Sequence, residues 1–222
     1  GGGEPVLFLD NPKGHSATDR RQVLDTVRAL NEAQLADTGD PEIATRIAQY
    51  ELAFRMQAEV PGLMDLARED RRTLEAYGIG QPETDGFGRR CLLARRLVEQ
   101  GVRFVQLFNG AYQTGGEGVS NWDGHKDLFN QYNLHGPVLD KPTAGLLLDL
   151  KQRGLLDDTL VVWTGEFGRT PGTQGSDGRD HHIFGFSVWM AGGGLRQGIV
   201  HGATDEIGFH ATENRHYVTD IH

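Results

Sequence analysis

The feature that most constrains this chain is a change of pattern near residue 100. Before it, apolar residues recur at helical spacing. Val23, Val27, Leu30 and Leu35 mark one helix over residues 19–35. Asp40 followed by Pro41 has the form of a helix start, an N-cap and a first-position proline. The helix it opens carries Ile43, Ile47, Tyr50, Leu52, Phe54 and Met56 and fades near Pro61. Shorter helices are predicted over 65–77 and 85–100. After residue 100, short β-rich runs alternate with glycine-rich loops. Val102–Phe108, Thr159–Thr164 and Phe186–Ala191 read as strands, the last two of them buried, and Pro137–Arg153 reads as a helix ended by Gly154. A further short run, Pro5–Leu9, reads as extended. The expected fold class is α/β: a central, mostly parallel sheet sandwiched by helices, with a helical insertion in the first half. The chain is expected to form one domain over residues 1–222, with 15–100 largely helical and 101–222 forming the α/β part.

Composition narrows the function. The 222 residues carry a formal charge of -9, and no basic face of the kind nucleic-acid binders use is visible. An acidic chain that handles phosphate or sulfate esters needs local positive charge from metal ions or a few arginines. No run of about eighteen apolar residues exists to span a membrane. The chain starts without methionine and stops abruptly, so both ends read as cut. Cys91 is the single cysteine, which excludes an internal disulfide, and its apolar helical context reads as a buried structural thiol.

Three polar clusters follow the predicted strands, and loops beyond strand ends are where α/β proteins gather their sites. Asn121-Trp122-Asp123-Gly124-His125 offers a carboxylate and an imidazole two residues apart, a mix that suits zinc, manganese or iron. Gly165-Glu166-Phe167-Gly168-Arg169 sets a carboxylate and a guanidinium between glycines, which let a ligand approach backbone closely. Asp177-Gly178-Arg179-Asp180-His181-His182 adds adjacent imidazoles after an acidic turn. Each cluster has an ordinary reading of its own: a capping Asp123 with an exposed His125, a turn-stabilising Glu166–Arg169 pair, a surface loop at 177–182. Their repetition beside one predicted sheet points to a metal or anion site built from Asp123, His125, Glu166 and His181. Arg169 and Arg179 are the candidate catalytic anion binders, Arg179 and Asp180 are also candidates for orienting the ligands, and Asp180 and His182 are additional site candidates. His135, just before a helix, either reaches the site or caps a turn. No Gly-x-Ser-x-Gly elbow is present.

At these clusters the chain resembles a known family. The run Asp149–Val162 leads into Gly165-Glu166-Phe167-Gly168-Arg169-Thr170-Pro171, followed by Gly178-Arg179-Asp180-His181, Ala191-Gly192-Gly193-Gly194 and Gly202-Ala203-Thr204-Asp205. Upstream, Tyr50–Met56 and Cys91–Arg96 extend the likeness. These motifs resemble the sulfatase-like domain-of-unknown-function family fifteen-oh-one, a relative of sulfatases and alkaline phosphatases. The resemblance implies a two-metal site at a sheet edge. Asp123, His125 and His181 match, in order, the Asp, nearby His and later His that hold one ion. At the place of the Asp-His pair for the other ion stand Glu166 and Phe167, and Phe167 cannot ligate, so His182 is an alternative ligand. The nucleophile of such relatives lies nearer the amino terminus, in a segment this chain is expected to lack. The resemblance further implies a bacterial parent protein that is periplasmic or secreted. The expected cofactor is a divalent ion, zinc, calcium or manganese, and the expected substrate a small-molecule or polysaccharide ester of sulfate or phosphate. The rival expectation is a catalytically inactive binding or scaffold domain that kept the fold.

Overall fold

A computed structural model describes residues 14, 16–110 and 121–217, and the short run at 5–9 lies outside them. The chain divides into two compact units, 1–66 and 67–222. The division falls inside the helical stretch and not at its end.

The first unit holds two helices. α1 spans Ala17–Thr38, and Ser16 caps it in a reciprocal box with Asp19. It ends at Gly39, left-handed at φ 66, whose N–H bonds back to Leu35. α2 spans Pro41–Met64, with the Asp40 side chain accepting the Glu42 N–H. Its C-terminal end runs past the proline where the apolar pattern faded. Arg21 ties the pair together, donating to Asp25 within α1 and to Glu51 on α2.

A short 3-10 turn, Leu66–Arg68, falls at the division, and the second unit continues with α3, Arg71–Ala76, capped by Asp70. α4 spans Asp85–Glu99 and α5 spans Leu128–Gln152. Tyr77, Phe87, Cys91, Leu92, Leu146 and Leu150 are the buried centre between them. Cys91 is 1% exposed, and burial pushes its thiol up to about 12. The end of α3 approaches α5 so closely that a Cβ on Gly145 would lie 2.6 Å from the Ala76 carbonyl oxygen. A polar knot closes over this core. Arg95, with its side chain 3% exposed, donates to Glu69 at 2.7 Å, Glu99 at 2.6 Å and Asp149 at 2.9 Å. The Tyr77 hydroxyl donates to the same Asp149 oxygen at 2.9 Å, and Arg153 bonds its other oxygen.

α5 begins nine residues before the predicted start at Pro137. Proline is a helix-start signal from sequence, yet Pro137 and Pro142 both lie inside the helix. The buried set Gln131, His135, Pro142, Leu146 and Leu150 explains this: it forms one stripe at helical spacing, and packing along it outweighs two missing backbone donors.

The strands differ from expectation more sharply. β1 (Leu160–Trp163) pairs with β4 (Trp189–Gly192), β2 (Gly168–Arg169) with β3 (His181–His182), and β5 (Ala203–Thr204) with β6 (Ala211–Glu213). All three pairs are antiparallel. The molecule is thus mixed helix and strand, and among the described residues no parallel pair forms. A parallel pair needs a crossover of a dozen or more residues between neighbouring strands. Val102–Phe108, the strand that α5 would have linked to β1, adopts no strand pairing, and Phe104 and Phe108 are exposed. β1 is not buried either: Leu160, Val162 and Trp163 are each about half exposed. Its apolar run has the composition of a buried strand, but only one neighbour covers it.

Candidate metal centre

The β2–β3 hairpin sets the geometry. Its register places Arg169 directly opposite His181. The hairpin loop tightens where Gln174 and Gly178 exchange backbone hydrogen bonds at 2.9 and 3.0 Å. Against this loop lies the segment 121–127. The Arg179 N–H donates to the Gly124 carbonyl at 2.9 Å, and the Asp127 N–H donates to Asp177 Oδ1 at 3.1 Å. The fit leaves no room for a side chain at Gly178, where a Cβ would lie 1.8 Å from the His125 carbonyl oxygen. Trp122 anchors the other end of the segment, donating from Nε1 to Asn109 at 2.8 Å with its ring against buried His135. His135 is therefore part of the packing under the loop.

The result is a convergence on one oxygen. Asp123 Oδ1 lies 2.8 Å from His125 Nε2, 2.8 Å from His181 Nε2 and 2.8 Å from Arg169 Nη1. Donor atoms of Asp123, His125 and His181 all lie within 4.8 Å of one another, and the three could hold a metal ion. The two imidazole rings stand 4.9 Å apart. The hydrogen bond from His181, with that from Arg169, holds the Asp123 carboxyl down at about 2.

His125 tests whether these residues fit an ion. Its Nδ1 faces Gln174 Oε1 at 2.5 Å, while its Nε2 faces Asp123 Oδ1. Both partners are acceptors. With no cation present, the ring satisfies both only as imidazolium, and its pKa is raised, chiefly by the bond to Gln174. With a divalent ion, Nδ1–H alone serves Gln174 and Nε2 offers its lone pair to the metal, the usual division of a ligating histidine. The donor set fits.

The other sequence candidates take different places. Glu166 meets the cluster through Arg169, at 3.3 Å from Nη2. Asp180 Oδ1 accepts the His181 N–H at 2.8 Å and so orients that ligand's backbone. The Arg179 side chain bonds the Gly178 carbonyl, and its backbone docks the 121–127 segment. His182 is buried, its Nε2 2.5 Å from the Phe209 carbonyl and its ring packed on Phe184 and Phe209. The Phe167 ring packs against His181 at a tilt, 4.5 Å between ring centres. Beside the centre, an open cleft of about 590 Å³ is lined by Thr170, Gln174, Asp180, Ile207 and Phe209. Gln174 escapes a reading from sequence. An amide in a glycine-rich turn carries no chemical signature until the hairpin brings it to His125.

A hairpin and a neighbouring loop that bring two imidazoles and a carboxylate together define a mixed helix-and-strand protein with a candidate His/Asp metal centre. The chain belongs to the family described as Protein of unknown function (DUF1501), whose model matches residues 1–222. No curated protein and no solved structure matches the chain.

Proposed function

We propose that this chain is the metal-binding part of a hydrolase of sulfate or phosphate esters, related in fold to sulfatases and alkaline phosphatases and working outside the cytoplasm. The observation that carries the reading is the meeting of His125, His181 and Arg169 at Asp123 Oδ1. Asp123, His125 and His181 hold the ion. Two nitrogens and one oxygen favour zinc, manganese or iron over calcium, which prefers six to eight oxygens. The ion supplies Lewis-acid polarisation of an ester oxygen and charge stabilisation in the transition state. Gln174 fixes the tautomer of His125, and Asp180 fixes the backbone of His181. Arg169 lends its fork of donors to the anionic oxygens of the ester, with Glu166 holding the guanidinium in place. The open cleft beside the centre admits a small ester or the end of a polysaccharide chain.

One observation favours a binding or scaffold role instead. Phe167 occupies the position next to Glu166 and packs on His181, which limits ligand supply for a second ion. Metal content by plasma mass spectrometry, beside a screen of sulfate and phosphate esters, separates the readings. Bound divalent metal in the wild type, lost in Asp123→Ala and His181→Ala together with ester turnover, is the expected outcome. Metal retained in both variants would sink the site. Metal without turnover of any ester would leave a binding domain.

A further inference from the structure

We infer a second, independent transition-metal site at His201 and His216, on the β5–β6 hairpin. His201 lies just before β5 and His216 just after β6, at the open end of the hairpin, and both residues are exposed. Their Nε2 atoms lie 3.1 Å apart and their ring centres 5.3 Å apart. The pairing does not follow from the ladder alone. β5 and β6 pair Ala203 with Glu213, and carrying that register outward sets His201 opposite Arg215. Asn214, a non-glycine residue in the left-handed region at φ 46, directly follows the end of β6. His216, and not Arg215, is the side chain that meets His201. The backbone thus takes up a sparsely populated conformation at the step that brings the two imidazoles together.

The separation suits a shared ion. Two nitrogens about 2.0–2.1 Å from one metal stand roughly 3.3 Å apart in tetrahedral geometry and about 2.8 Å apart as cis neighbours in square geometry. The observed spacing falls between them. Without an ion, the contact needs one ring to donate from Nε2–H and the other to accept, which ties the pair to opposite tautomers. With an ion, both rings present Nε2 lone pairs, and water fills the remaining positions. The ligand class is a borderline divalent transition metal, with zinc as the probe. Binding would clip the outer ends of the hairpin together.

Zinc titration of the metal-stripped protein by calorimetry tests this, using the wild type and His201→Ala, His216→Ala, His181→Ala and His210→Ala. The expected result is one fewer zinc equivalent, or that equivalent weakened at least about tenfold, in each of His201→Ala and His216→Ala. His210→Ala and His181→Ala keep it. His181→Ala instead reports on the Asp123 centre, so failure of one site is distinguishable from failure of the other. Unchanged stoichiometry and affinity in His201→Ala and His216→Ala overturns the inference, as does loss in only one of the two.

Discussion

Single atoms decide most at the Asp123 centre. Gly178 has no side chain because the His125 carbonyl occupies that space. Gly178→Ala must push the 121–127 segment off the hairpin, and we expect about 1–3 kcal/mol of destabilisation with reduced metal content. Wild-type stability and full metal content in that variant would contradict the packing described. Asp205 offers a pH readout away from the Asp123 centre. Its carboxylate accepts the Phe209 N–H at 2.7 Å and the His210 N–H at 3.0 Å, and its pKa is lowered, chiefly by the first. A depressed folded-state value means the carboxylate supports the turn above the unfolded value of about 3.9. That support is lost as pH falls through the folded value. An NMR titration of its carboxyl carbon should show a midpoint below the ordinary one, and a midpoint at or above it would refute the turn. Residue types were well legible at this scale. Asp123, His125, His181 and Arg169 stand out in the sequence and meet in the structure, whereas Glu166 reaches the group only through Arg169. Gln174 and the His201–His216 pair do not stand out, because their partners are set by hairpin register and by one left-handed asparagine.

At the scale of elements, helices were legible and sheets were not. α1 and α4 lie where their periodicity places them, since capping and apolar spacing are local signals. α5 shows the limit: proline marked a start, but the buried stripe from Gln131 to Leu150 carries the helix through it. Strand runs state β-propensity without naming a partner: β1 forms inside its predicted run but lies half exposed, and Val102–Phe108 finds no partner. The polar knot between α4 and α5 gives the sharpest element-level prediction. Arg95→Met removes a buried cation that bonds Glu69, Glu99 and Asp149 together, and the carboxylates left near the core make a loss of about 3–5 kcal/mol. Arg153→Ala, at a site 37% exposed, should cost about 1 kcal/mol or less. Urea melts of the two variants would show whether burial separates them in this way; equal losses would not fit.

Across the whole molecule, the two compact units place all the candidate chemistry in residues 67–222. The same unit holds a built-in reporter. Cys91 is the only thiol, it sits between α4 and α5, and burial keeps it protonated. Native protein should resist alkylation at neutral pH, and labelling in mild denaturant should follow the opening of that interface. Rapid labelling of the folded protein would mean that the interface opens freely. A single sulfur therefore serves as a clock. Pulses of iodoacetamide, read by mass, would time how often this core breathes, with no added probe and no competing cysteine to blur the count.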